Sequence, residues 1–296
     1  MFDFRTIPAL FLFLLTTACS GQVNSKSTEI IPLEETSSVE LFFKNQPPIV
    51  NPTKIAIALD YTRSRETSRI GQITLDDLST LMNKISSQGG EIGVIAICSD
   101  SNLPALRIRI ESPPYLDPKD VDFITKPVPP NLEGISPFKA AELKKDYQKQ
   151  LAQYQQFEAK ALQEIALHKQ DLEQWKDLQN QKLNSFKSEL KTLLAQPANC
   201  QNTDIWGAIA RIDLFLNEDT STWKLTPNNF AVLITDGEHN SDREPVAMQS
   251  EAEIILVNGA GKGKEIEKYL NYKAFEAPSA AFNHITHKLK EVKNEK

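Results

Sequence analysis

A basic surplus is missing. The 296 residues hold 33 Lys and Arg against 39 Asp and Glu, a formal net charge of -6. General nucleic-acid binders show the opposite balance or a basic patch, so no nucleic-acid partner is expected. A long apolar run is missing as well. The stretch at residues 7–15 is too short to cross a bilayer and has the length of a signal-peptide core. Cysteine is scarce: Cys19, Cys98 and Cys200 are the only three. Residues 138–196 lack both Pro and Gly, so the strongest helix breakers are absent there. No Gly-x-Ser-x-Gly elbow is present, which removes acyl transfer on that motif. What remains is an ordinary globular composition, 40% hydrophobic and 24% charged, enough to bury a sizeable core.

The apolar stretch is followed by "LTTAC", ending at Cys19. This resembles a bacterial lipoprotein signal, although Thr16 stands where Leu is commonest. The resemblance implies a signal peptide over residues 1–18, with Cys19 lipidated as the mature N-terminus. The chain would then be held to a membrane by lipid and face an oxidising cell-envelope compartment. Ser20 is not the Asp that retains some lipoproteins at the inner membrane, which favours the outer one by analogy. Residues 19–51 are polar and without sustained period, and read as a flexible tether with a short edge strand at 39–43.

After the tether, strands and helices alternate. "KIAIALD", "EIGVIAICSD", "FAVLITDG" and "EIILVNG" are continuous apolar runs of the kind buried on both faces of a parallel sheet. "ALRIRIES" alternates apolar with Arg and suits an antiparallel edge. "TLDDLSTLMNKISS" and "DIWGAIARIDLFL" have helical spacing, the first stopping at Gly89-Gly90. "YKAFEA" and "PSAAFNHITHKLKEV" supply a last strand and a closing helix. The pattern predicts a doubly wound α/β fold with helices on both faces. Its two parts are residues 52–112 and 198–293. Residues 113–197 interrupt it with a Pro-rich segment and a coiled-coil-like helical stretch. As one rod that stretch would be roughly 90 Å long at ~1.5 Å per residue. Two antiparallel helices turning near 168–171 return the chain to the sheet more simply; the rival is a single rod with the Pro-rich segment running back along it.

Three pieces converge at the carboxyl ends of strands, where such folds place their sites. "DYTRS" brings Asp60, Thr62 and Ser64; "NTDIWGAI" brings Thr203; "LITDGEHN" brings Asp236. Each offers oxygen, the donor that hard cations such as Mg²⁺ or Mn²⁺ prefer. Two carboxylates with neutral oxygens leave the site able to accept one further carboxylate. These motifs resemble the von Willebrand factor A-type domain and its metal-ion-dependent adhesion site, Asp-x-Ser-x-Ser followed by a distant Thr and a distant Asp before Gly. The resemblance implies a mainly parallel six-stranded sheet with one antiparallel edge strand. It also implies Mg²⁺ or Mn²⁺ held by Asp60, Thr62, Ser64, Thr203 and Asp236, and a protein partner that donates an acidic side chain. Thr62 departs from the family's first Ser, keeping the hydroxyl and adding a methyl. Asp204 matches a common family choice but is not assigned as a ligand.

With Cys19 assigned to lipid, Cys98 and Cys200 form an even remainder near the same rim, and a disulfide or two buried thiols would both fit. "NGAGKGKE" is one residue short of a phosphate loop and reads as a strand–helix turn. His284 and His287 share a helical face without a third zinc ligand in view. The sequence therefore points to a lipid-anchored, non-enzymatic envelope protein that binds its partner through a metal. The helical insertion would enter beside the site, as a second contact surface or a restriction on access. Two other readings stand: a metal-dependent hydrolase with Glu238 or His239 as base, and a metal-free scaffold binding through the coiled coil.

Overall fold

A computed structural model describes residues 37–63, 73–101, 105–122, 124–257 and 264–291. The signal peptide and Cys19, the candidate ligand Ser64, and most of the "NGAGKGKE" turn lie outside the described residues.

Five strands run parallel: β1 (Thr53–Asp60), β2 (Gly90–Ile97), β4 (Asn228–Ile234), β5 (Glu253–Val257) and β6 (Lys273–Phe275). The antiparallel strand is β3 (Leu106–Ile110), on the edge, and the spatial order is β3-β2-β1-β4-β5-β6. Central β1 is buried along its whole length, so its apolar run has no polar face. Its side chains divide by parity between two cores. Ile55, Ile57 and Leu59 face α2 (Leu75–Gln88) and α6 (Pro278–Glu291). Ala56 and Ala58 face α4 (Ile205–Asn217) and the short α5 (Lys264–Glu267). Helices thus cover both faces, as the alternation predicts.

The insertion departs from the hairpin expectation. It is one unbroken helix, α3 (Pro137–Leu194), of 58 residues. At ~1.5 Å per residue that is roughly 87 Å. Its last third enters the first core through Leu183, Phe186 and Leu190. Its earlier half packs instead on α1 (Ser38–Asn45) and on the returning Pro-rich segment: Ala161 and Ile165 meet Val39 and Val121. The stripe that suggested a second helix is covered by these two pieces, so no turn is needed.

The 39–43 stretch is likewise helix α1, not an edge strand. Ser37 and Glu40 close a capping box, each bonding the other's backbone N–H. The motif Ser-x-x-Glu before an apolar run was the available signal.

The place where the insertion leaves the sheet also differs from expectation. Because β3 is antiparallel, Ile110 lies opposite Gly90, at the amino edge of the parallel strands. The insertion therefore starts at the end of the sheet remote from Asp60 and reaches the carboxyl rim only as α3 ends. The amino edge carries buried charge of its own. Lys54, fully buried, lies 3.9 Å from Glu91 and donates to the Glu218 carbonyl, and Glu91 also pairs with Arg107. Burial pushes the Lys54 ammonium below its ordinary range, while the neighbouring Glu91 charge pulls the other way.

Candidate metal centre

The carboxyl rim is assembled by hydrogen bonds between loops distant in sequence. The Tyr61 N–H donates to the Ile97 carbonyl (3.1 Å), and the Tyr61 carbonyl accepts from the Cys200 N–H (3.0 Å). Thr62 and Cys200 pair as an isolated parallel bridge, so the loop after α3 extends the sheet for one residue. Cys98 and Cys200 form a disulfide with Cα atoms 5.3 Å apart, tying the end of β2 to the same loop. The Asp204 N–H donates to the Cys98 carbonyl (3.0 Å). The Tyr61 hydroxyl donates to the Leu193 carbonyl (2.9 Å), which fastens the end of α3 beside the rim.

Asp60, Thr62, Thr203 and Asp236 are each 2% exposed or less. For polar groups that is costly unless they are partnered. Asp60 Oδ1 accepts from the Thr62 hydroxyl (2.6 Å) and the Thr62 N–H (2.8 Å). Asp60 Oδ2 accepts from the Thr235 hydroxyl (2.8 Å). Burial pushes the Asp60 carboxyl above its ordinary range, the Thr62 and Thr235 bonds pull it back, and the nearby Asp236 charge adds to the rise. Asp236 begins the turn after β4. Its Oδ1 accepts from the Glu238 N–H (3.0 Å), and Gly237 between them has φ of 82°, a conformation that favours glycine.

The structure thus brings Asp60 and Thr62 into direct contact and sets Asp236 within electrostatic reach of Asp60. Thr203 lies buried three residues past the Cys200 bridge, where its N–H donates to Asn240 Oδ1 (2.5 Å) and its carbonyl accepts from the Asn240 N–H (3.2 Å). Asp204 is engaged elsewhere. It caps α4, with Oδ1 accepting from the Gly207 N–H (2.9 Å) and Oδ2 from Arg243 Nε (3.1 Å).

Several contributors are silent in the sequence. Thr235 precedes Asp236 inside an apolar strand and reads as a strand residue, yet its hydroxyl reaches across to Asp60. Asn240, Ser241 and Arg243 belong to a loop without pattern, yet all three bond to residues 203–204. His239 turns out to be a fastener of that loop. Its Nδ1 is 3.3 Å from the Ile205 N–H, a group that can only donate, so the proton is assigned to Nε2, 3.0 Å from the Arg243 carbonyl. Both ring nitrogens are then occupied by backbone.

The donor set fits a hard cation. It consists of oxygen only, the donor type that hard cations prefer. Among the described residues no cluster of three or more His, Cys, Asp and Glu side chains could hold a metal. A cation here would rest on two carboxylates and neutral hydroxyls, which suits Mg²⁺ or Mn²⁺ better than zinc.

Comparison with known proteins adds no assignment. No family model and no curated protein matches the chain. Among solved structures, the open conformation of the pilus adhesin SpaC from Lactobacillus rhamnosus GG is similar at a TM-score of 0.42 and 11% identity, covering 83% of this chain and 31% of that one. A second crystal structure of the same adhesin gives a TM-score of 0.40 with the same identity and coverage. The chain spans less than a third of the adhesin's length, and likeness at this level carries no functional argument.

Proposed function

We propose that this protein is a non-enzymatic binding module that holds a hard divalent cation, Mg²⁺ or Mn²⁺, and uses it to engage an acidic side chain of a protein partner. The observation that carries this reading is that two buried carboxylates, Asp60 ending β1 and Asp236 just past the adjacent parallel β4, lie at one rim, with the Thr62 hydroxyl against the first. Like charges held together away from water are costly, and a cation between them offsets that cost. Asp60, Thr62, Thr203 and Asp236 would hold the ion, with Ser64 completing the set. When bound, the ion supplies an open coordination position for an incoming carboxylate.

The chain's own residues do the positioning. Thr62 fixes Asp60 through two bonds and Thr235 fixes its other oxygen, so that carboxylate cannot rotate freely. Asn240 clamps Thr203 through both backbone groups. Of the two bases the hydrolase alternative could use, Glu238 and His239, His239 has both ring nitrogens engaged by backbone, so Glu238→Ala is the variant whose turnover would test that alternative. The Cys98–Cys200 bond supports an oxidising compartment, in keeping with the envelope location and lipid attachment at Cys19 that the sequence suggests.

The test is a melting series of the full chain in Mg²⁺ or EDTA, wild type beside Asp236→Asn. At a hundred times Kd, Mg²⁺ should stabilise the wild type by about 2.7 kcal/mol and leave Asp236→Asn unmoved. Identical curves in Mg²⁺, Mn²⁺ and EDTA would falsify the reading. Envelope proteins captured in Mg²⁺ and released by EDTA would then identify the partner.

A further inference from the structure

A large cavity lies away from the metal centre. It is a groove of about 790 Å³ at the amino edge of the sheet, between α1, the 46–52 segment, the end of α2, the exit of β3 and the middle of α3. Gln88, which ends α2, and Ser112, just past β3, both line it. Its size lies in the range of small-ligand sites, roughly 300–1,000 Å³.

The walls are apolar for a chemical reason. Pro47, Pro48, Pro52, Pro113 and Pro114 all contribute, and proline has no N–H to offer and little freedom to lose. Leu41, Phe42, Ile49, Tyr115 and Leu172 add side-chain surface, and Leu41 and Ile49 are 51% and 42% exposed. The charges are one-sided. Lys84, Lys169 and Lys224 line the groove against one carboxylate, Glu111, which already lies 3.5 Å from Arg109. Among the described residues neither Lys169 nor Lys224 has an acidic partner within ion-pair distance. Lys169 Nζ stands 5.8 Å from the centre of the Phe42 ring, which places an ammonium beside the apolar wall.

We propose that this groove binds an anionic amphiphile, its chain against the proline wall and its carboxylate or phosphate head on Lys169 and Lys224. Charge complementarity selects the head: an ion pair at the lip adds attraction that a neutral head cannot supply. The rigid walls select the chain, because apolar area is removed from water with little ordering cost. This site is independent of the metal reading.

Titration calorimetry on the full chain carrying Cys19→Ser, below micelle concentrations, tests it with dodecanoate, dodecyl phosphate and dodecan-1-ol. One of the two anions should bind one to one, at least tenfold more tightly than the alcohol; which one does so distinguishes a fatty acid from a phosphate-headed lipid. Lys169→Glu with Lys224→Glu should weaken that binding tenfold or more, and Leu172→Arg should abolish it while the melting temperature stays within a few degrees. The proposal is overturned if neither anion binds, if the alcohol binds equally well, or if the lysine variant binds as the wild type does.

Discussion

At Gly207 two demands on a helix start collide. Replacing a helical glycine by alanine ordinarily stabilises by about 1 kcal/mol. Here a Cβ would fall 2.1 Å from Asp204 Oδ2 and 3.1 Å from Arg243 Nε. The cap must move, and losing one costs about 0.5–2 kcal/mol before any clash is counted. Gly207→Ala should therefore gain little or nothing in urea unfolding, the cap loss of about 0.5–2 kcal/mol offsetting the helix gain of about 1 kcal/mol, and a variant stabilised by that full amount would contradict the capping geometry. A second residue-level prediction concerns acid. Burial raises the Glu253 carboxyl, but bonds from Lys288, His284 and Lys273 outweigh it and hold it down to about 2. A depressed carboxylate stabilises the fold above its unfolded value near 4.5 and loses that contribution as pH falls through about 2. The stability gap between wild type and Glu253→Gln should be full at pH 7 and shrink steadily below pH 4.5. A gap that stays constant to pH 2 would remove the ion-pair account.

The long helix sorts its residues by what lies beside them, although its sequence repeats one pattern throughout. Phe186, 3% exposed, belongs to the core under the sheet, whereas Leu167 is 55% exposed. Phe186→Ala should cost about 3–5 kcal/mol and Leu167→Ala less than about 0.5 kcal/mol, measured by guanidinium unfolding. Equal effects would mean that the last third of α3 is not part of the core. The same helix shows where sequence reasoning runs out. Helical state followed from the absence of Pro and Gly, but periodicity says nothing about which partner covers a stripe, so a second helix and a doubled-back extended segment look alike. For α1 the signal existed, in Ser37 and Glu40, but polar composition around it masked the capping box. The central strands β1, β2 and β4 were legible because they are buried over most of their length on both faces and so read as apolar runs. Asp60, Thr62 and Asp236 stood out because oxygen donors follow apolar strands, and Thr203 because it opens a helix after the insertion. Thr235 and Asn240 were not, since their roles exist only once the chain has folded.

For the molecule as a whole, the Cys98–Cys200 bond closes a span of 102 residues that contains the entire insertion. Chain-entropy arguments give up to about 4.7 kcal/mol for such a loop, with measured values of roughly 2–5 kcal/mol. Cys98→Ala with Cys200→Ala should lower unfolding free energy by that amount. If the doubly substituted protein were as stable as wild type, the sheet alone would be holding the rim closed. The two ends of the sheet carry different equipment, with oxygen donors at the carboxyl rim and the lysine-edged groove at the amino edge.

The seat of α1 has a mechanical consequence. Tension entering at Ser37 would reach eight helical residues that rest on α3 through Val39, Phe42 and Phe43 before it reached any strand. Such a contact peels turn by turn under low load, whereas six strands laced side by side must shear together. Should the chain be tugged at Ser37, α1 would act as a fuse, giving way and adding slack while the Asp60 rim kept its shape.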